Sequence, residues 1–281
     1  MSDARNQRPR ARVADALSRV LREGRLAALA TIIEIPTTRS GHAVGAKLLF
    51  EESGETTGET GDASLDASLA RYVSVFLASR AEARTIRVEE FAPELEAWKG
   101  ARVLFERIEP EPRVVVCGAG HVGAALARLA HRVGYRVTLI DDRADFVARE
   151  RFPEERIELI AASGWSAPVR EAIGTGRGVF VAVVTRGHNE DEQCLAAVLA
   201  SRPDYVGMIG SRRRTNIVLG RLREAGFTEE SLRAVRAPVG LDIGAISPEE
   251  VALSILAEIV LERRGGTGAP LSAWRRRTSE R

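Results

Sequence analysis

A glycine-punctuated turn between two apolar runs constrains this chain more than any other feature. Residues 113–123 read Arg-Val-Val-Val-Cys-Gly-Ala-Gly-His-Val-Gly, and residues 135–142 read Tyr-Arg-Val-Thr-Leu-Ile-Asp-Asp. The consecutive β-branched residues 114–116 suit a strand buried on both faces. Gly118, Gly120 and Gly123 follow at once in the spacing G-x-G-x-x-G. Leu126, Leu129, Ala130 and Val133 then recur at helical spacing, and Gly134 ends that helix. Residues 137–140 predict a second strand, closed by Asp141 and Asp142. In such a unit Gly118 permits the tight turn, Gly120 lets a phosphate approach the backbone, and Gly123 lets helix and strand pack closely. The helix start, with His121 and Val122 inside the loop, offers free N–H groups and partial positive charge to an anion. A carboxylate at the end of the second strand, Asp141 foremost, can accept a ribose hydroxyl. The same glycines also serve packing alone.

Strand and helix alternate through the rest of this region. Strands are expected at residues 157–161, 179–184 and 204–209, with a helical or irregular connection at 143–153 and a variable segment around Trp165 and Pro168. Asn189 with Glu192 reads as a capping box for a helix to Leu199. Ser211 caps a helix to about Ala225, and Ser247-Pro-Glu-Glu opens a last one to about Arg263. The pattern is α/β, a C-terminal Rossmann-like doubly wound parallel sheet over residues 113–264.

A smaller N-terminal α+β domain is expected over residues 1–107. Its start, 1–9, is polar and expected to lack structure. A helix at 11–23, strands at 26–35 and 45–50, a loop at 36–42, and a turn at 51–54 follow. Asp62 or Ser64 caps a helix to Ser79, and short strands are expected at 85–88 and 101–105. Residues 108–112, Ile-Glu-Pro-Glu-Pro, read as a linker, since two prolines two apart continue neither ladder nor helix. Residues 265–281 read as a mobile basic tail.

Composition excludes several classes. With 41 basic and 39 acidic residues the formal charge is only +2, so nothing calls for nucleic acid or a membrane surface. No apolar run is long enough to span a bilayer, and the Arg-rich start is unlike a secretory signal, so a cytoplasmic protein is expected. Two cysteines, Cys117 and Cys194, make no disulfide framework, and no Cys/His spacing suits a metal.

Ligands of doubly wound sheets bind beyond the carboxyl ends of the strands. Four such ends carry polar loops here: residues 118–123, 141–143 (Asp141, Asp142, Arg143), 185–191 (from Thr185, with His188) and 210–214 (Gly210, Ser211, Arg212 and two more arginines). Cations are unfavourable at a helix N-terminus, so three arginines after Ser211 point to a bound anion, although a solvated basic surface explains any one of them. His121 and His188 are each able to donate to a phosphate or to act as acid or base, or are simply solvated. Asp242, in Gly240-Leu-Asp-Ile-Gly, either reaches the same crevice or sits in an ordinary turn. One reading is an NAD(P)-dependent oxidoreductase, with Asp141 favouring NAD and Arg143 weakening that preference. No acid–base dyad for hydride chemistry is visible, so no catalytic residue is assigned and binding is favoured over turnover. Another is a nucleotide-gated scaffold with the first domain as its interaction surface.

Four ordered motifs carry a family resemblance: residues 116–123, residues 137–143, Tyr-Val-Gly-Met-Ile-Gly-Ser-Arg-Arg at 205–213, and Pro-Val-Gly-Leu-Asp-Ile-Gly-Ala with Ser-Pro-Glu-Glu-Val-Ala at 238–252. They resemble the XdhC/CoxI family of xanthine dehydrogenase accessory proteins. Gly45-Ala-Lys-Leu-Leu is similar to that family's first domain. The resemblance implies a maturation protein that binds molybdenum cofactor (molybdopterin, alone or as a dinucleotide). Such a protein assists cofactor sulfuration with a cysteine desulfurase and passes the cofactor to a molybdenum hydroxylase apo-enzyme. It also implies a homodimer. Carried over by motif, Gly118, Gly120, Gly123, Asp141, Ser211 and Arg212 line the crevice, and His188 falls in a run that Arg186 and Gly187 lengthen. Many relatives carry Gly-Gly-Gly-Cys in the first domain; here that stretch is Gly58-Glu-Thr-Gly-Asp-Ala, without a cysteine to touch molybdenum or sulfur.

Overall fold

The computed structural model divides the chain into two compact units, Met1–Pro110 and Glu111–Arg281. It describes residues 3–36 and 44–272, with side chains from Arg12 onward. The first unit comprises α1 (Asp3–Arg22), β1 (Ala27–Glu34), β2 (Lys47–Glu51), β3 (Thr56–Gly58), α2 (Ala63–Ala78), β4 (Ala83–Arg87), α3 (Val88–Phe91) and β5 (Arg102–Ile108). Its strands form an antiparallel sheet in the order β3-β2-β1-β5-β4.

Strand periodicity explains the two faces. Ala27 and Leu29 of β1 point to Val13, Ala16 and Val20 of α1. Ala28, Ala30 and Ile32 point the other way, to Leu65, Leu69 and Phe76 of α2. Of the two candidate caps, Asp62 is the one that holds α2. One oxygen accepts from the amides of Ser64 at 3.0 Å and Leu65 at 3.3 Å. The other accepts from the Trp98 indole at 2.8 Å. Residues 3–9, expected to lack structure, continue α1 instead. Of the loop expected at 36–42, residues 37–42 lie outside the described residues, as do 273–281 of the expected tail.

The second unit comprises β6 (Arg113–Cys117), α4 (His121–Arg132), β7 (Arg136–Asp141), β8 (Ile157–Ala161), α5 (Ser166–Ile173), β9 (Val179–Val183), α6 (His188–Ser201), β10 (Tyr205–Met208), α7 (Arg212–Glu224), α8 (Glu229–Arg233), β11 (Val235–Arg236) and α9 (Pro248–Arg264). The sheet is parallel throughout, in the order β11-β10-β9-β6-β7-β8. The chain runs outward through β6, β7 and β8, then crosses back to β9, so the strand order reverses between β6 and β9. Val114 and Val116 bury against Leu126, Ala127, Ile255 and Ile259 of α4 and α9. Val115 and Cys117 bury on the opposite face with Val169, Cys194 and Val218 of α5, α6 and α7. This double covering is why β6 and β9 read as unbroken apolar runs.

Four local expectations change. Ile108 is the last residue of β5, paired with Ala27, so the strand enters the expected linker. The variable segment around Trp165 is helix α5, with Pro168 in the first turn, where its missing N–H costs nothing. The capping box at Asn189 does not form, because α6 already begins at His188 with Gly187 as its cap. Asn189 and Glu192 are thereby on the helix surface, where both accept from the Arg221 guanidinium at 3.1 Å. Short α8 and β11 extend the fold beyond the expected elements, adding an edge strand beside β10.

Candidate functional site

Strand register brings the polar loops to one rim. Cys117 pairs with Ile140 on one side and Val183 on the other, and Val183 pairs with Met208. The segments that follow these four residues therefore leave the sheet at one level. Val239 N–H donates to the Met208 carbonyl at 3.1 Å, which brings the 240–244 loop to the same edge. The rim lies at the reversal of strand order, where open α/β sheets bind ligands.

Gly118, with φ of 111°, turns the chain so tightly that a Cβ there would stand 2.6 Å from the Val184 carbonyl oxygen. A Cβ on buried Gly123 would overlap the Gly118 carbonyl oxygen. Gly120, by contrast, has nothing within 4 Å of its Cβ position. It caps α4 without a side chain, and the first helical bond runs from Ala124 N–H to its carbonyl at 2.8 Å. The N–H groups of His121, Val122 and Gly123 precede that bond. His121 is exposed and Val122 half-buried against the core.

The expected ribose acceptor is differently employed. Asp141 is buried, and its carboxylate accepts from Ala119 N–H at 2.7 Å, Arg143 N–H at 2.9 Å and the Arg143 guanidinium at 2.8 and 3.0 Å. Burial pushes this carboxyl up, but the Arg143 guanidinium and the two amides outweigh it and hold it below the usual range. Asp141 thus ties the glycine loop to β7 rather than facing the crevice. Arg143 lies 3.6 Å over the Phe146 ring. The accessible acid at this strand end is Asp142, which takes the Arg186 guanidinium through both oxygens, at 2.9 and 2.7 Å.

A second buried acid braces the loop after β9. Asp191 is fully buried; it accepts from the Thr185 hydroxyl at 2.6 Å and from Arg214 Nε at 2.5 Å. Arg214 also donates to the Thr185 carbonyl at 3.0 Å and the Arg186 carbonyl at 3.3 Å. Thr185 and Arg214 are therefore inward-facing positioning groups. Ser211 accepts from Arg214 N–H at 3.2 Å and caps α7, and Gly210 lies against the Arg214 stem. Arg212 and Arg213 are exposed and, among the described residues, have no partner. His188 is the exposed first residue of α6, behind a glycine cap. Asp242 is exposed at the tip of a loop whose base is fixed by Gly240 N–H to Glu258 at 2.8 Å and Ser254 hydroxyl to Leu241 carbonyl at 2.5 Å.

Sequence reasoning missed Asp191 and Arg186. Both lie in the 185–191 loop, but no role could be assigned to them there, because their ion-pair partners, Arg214 and Asp142, come from loops after other strands. Both cysteines are buried, and burial pushes the Cys194 thiol well up. Among the described residues no group of three or more His, Cys, Asp or Glu is gathered as a metal site, and no helix is long and apolar enough to cross a membrane.

Comparison with known proteins follows this rim. The family model described as the XdhC Rossmann domain matches residues 114–259, just over half of the chain. A model for pyridine nucleotide-disulphide oxidoreductases matches residues 43–167, which run across the division between the two units. Uncharacterized protein YqeB of Escherichia coli is 35% identical over 56% of this chain and 28% of its own. A Bacillus subtilis protein described as a probable xanthine dehydrogenase subunit is 34% identical over 58% of this chain and 46% of its own. The chain thus spans less than half the length of both. The molybdenum cofactor insertion chaperone PaoD of Escherichia coli is 24% identical over 86% of this chain and 85% of its own.

Proposed function

The chain belongs to the family of the XdhC Rossmann domain, and from that premise we propose that it is an accessory protein that binds molybdenum cofactor and passes it to a molybdenum hydroxylase of the xanthine dehydrogenase type. The observation that carries this reading is the rim itself. A glycine-capped helix start with open space at Gly120 lies at the reversal of strand order, on the same rim as the unpartnered Arg212 and Arg213. Those groups fit the phosphate of a pterin cofactor: amide donors and guanidinium groups take an anion, and no Cβ stands in its way. When bound, the cofactor supplies the client enzyme's redox chemistry. This chain's residues hold its anionic end, with Asp141 and Asp191 keeping the two loops in place. The name of the relative that spans 85% of its own length in the match supports the insertion role.

Sulfuration belongs to the same reading. Both thiols are buried, and the stretch at 58–63 has no cysteine, so the sulfur is assigned to a partner cysteine desulfurase. A homodimer in the cytoplasm completes the proposal, and light scattering on the purified chain checks the dimer.

Titration with released molybdopterin tests the binding step. Saturable binding is expected, weakened about tenfold or more when Arg212 and Arg213 are both changed to Ala, the loss of two charge-assisted contacts. No saturable binding overturns the reading. The competing reading, NAD(P) binding, is favoured by the accessible Asp142 and by the oxidoreductase model's match. A thermal shift with NAD or NADP but none with molybdopterin would establish it instead.

A further inference from the structure

Helix α9 is apolar on nearly every side. Its inward residues, Ala252, Ile255, Leu256 and Ile259, are buried in the core shared with α4. A surface helix ordinarily turns polar residues to the opposite face. Here Leu253 is 52% exposed and Val260 38% exposed, and Ala257 lies half-buried between them. Spacings of four and three residues put these three on one outward stripe. Ile246, seven residues before Leu253, is 90% exposed just ahead of the helix. On neighbouring α4, Val122, Ala125 and Leu129 are only half-buried, so the apolar surface continues across both helices.

The charges on this stripe match a reversed copy of it. Glu249 opens the outward face, exposed and without a partner among the described residues, and Arg264 closes it. Two copies of α9 can be set antiparallel across a two-fold axis, with Leu253 facing Val260 of the other copy. Glu249 then faces Arg264 of the other copy, and the small Ala257 lies at the axis, where the backbones approach most closely. Each contact is made twice, as in any interface of one surface with itself. An acidic first turn and a basic last turn also suit the helix's own dipole. The dipole gives no reason for the apolar residues between them on an outward face.

We propose that this face of α9 is the surface through which two copies of the chain associate, antiparallel, with Leu253 against Val260 and Glu249 against Arg264. The inference rests on the homodimer of the proposed function and gives it a place. A stable pair buries about 800 Å² per copy, more than one helix about 25 Å long presents, and the half-buried α4 residues widen the face. Another side of α9 anchors the rim loop, through Glu258 to Gly240 N–H and Ser254 to the Leu241 carbonyl. The pairing therefore braces the helix from which that loop is held.

Light scattering of the full chain at micromolar concentration tests it. Twice the chain mass of 30.5 kDa is expected. Leu253→Glu together with Val260→Glu places carboxylates on the stripe at two exposed positions, and should weaken association about 100-fold or more, leaving a monomer. The register is tested by cross-linking under mild oxidation. Ala257→Cys should join two copies through a disulfide, because its two copies meet at the axis. Leu253→Cys should not, because a seven-residue offset holds its two copies about 10 Å apart, beyond disulfide reach. The native thiols are buried and do not compete. A monomeric unaltered protein overturns the inference, whether the face is bare or covered by the chain's own other segments. So does a dimer that survives the double change, or one that Leu253→Cys links and Ala257→Cys does not. A monomer also removes the homodimer from the proposed function, but not the cofactor site, which the molybdopterin titration reads separately.

Discussion

Two glycines three residues apart should respond to the same substitution in opposite ways. Gly120 caps α4 with φ −64° and ψ −172°, a backbone that any residue adopts, and a Cβ there meets nothing within 4 Å. Replacing a glycine cap by alanine costs about 0.5–1 kcal/mol. Stiffening the unfolded chain returns about 0.4–1 kcal/mol. Gly120→Ala should therefore leave stability within about 0.5 kcal/mol of the unaltered protein. Its methyl nevertheless occupies the open space that a phosphate would need. Loss of one or two amide contacts to an anion is worth about 1.5–3 kcal/mol, or roughly 10- to 100-fold in affinity. Gly123→Ala is the converse. Its Cβ would overlap the Gly118 carbonyl oxygen and press on Val184 Cγ2 at 3.1 Å, so backbone must move. Overpacking of this kind costs about 3 kcal/mol, or roughly 6–12 °C for a unit of this size. Calorimetric melting and molybdopterin titration of both variants give the two readings side by side. If Gly120→Ala binds molybdopterin as the unaltered protein does, the ligand does not approach this backbone. If it loses stability as Gly123→Ala does, the account of the loop is wrong.

Arg214→Ala leaves the fully buried Asp191 without its cation and should cost about 3 kcal/mol, the low end for a broken buried pair, because Arg214 is itself a quarter exposed. A loss under about 0.5 kcal/mol in urea unfolding would show the pair to behave as an ordinary surface contact. Asp141, held below the usual carboxylate range, stabilises the fold above the unfolded-state value of about 3.9, and that contribution is lost as pH falls through the folded value. The stability difference between the unaltered protein and Asp141→Asn should accordingly be complete at neutral pH and shrink below about pH 4; a difference that does not change with pH would refute it. Ser247→Ala removes the hydroxyl that accepts from Glu250 N–H at 3.2 Å in the α9 capping box, and about 1 kcal/mol with it, read from the same melts.

The parts of the fold that are legible in the sequence are those with a local cause. The β6–α4–β7 unit follows from β-branched runs and three glycines, and α9 from Ser247, Pro248 and Glu250, because each signal acts within a few residues. Helix α5 is not legible, since Trp165 and Pro168 suggest interruption until Pro168 is seen in a first turn. The start of α6 is misplaced by sequence reasoning because Asn189 offers a strong local cap, while Gly187, two residues earlier, offers none. The site divides in the same way. The glycines and the exposed Arg212 are visible in the sequence. The partners of Asp142 and Asp191 are not, since Arg186 and Arg214 reach them from other loops.

That division suggests how the rim works. Each of the two strands flanking the reversal carries a loop, and each loop is tied down by a buried carboxylate: Asp141 takes the Ala119 amide of one, Asp191 the Thr185 hydroxyl of the other. Both acids are then satisfied by an arginine, Arg143 and Arg214, that spends its charge inward. The positive charge left for a ligand is what these pairs do not consume, namely Arg212, Arg213 and the amide ends of α4 and α6. Charge neutralised beneath and left uncompensated above lets one cluster of arginines both hold the loops and receive an anion. The two roles separate experimentally: changing Arg214 should lower stability and binding together, whereas changing Arg212 and Arg213 should lower binding alone. Equal loss of stability in both variants would show that the cluster is a single structural patch and that none of its arginines is reserved for a ligand.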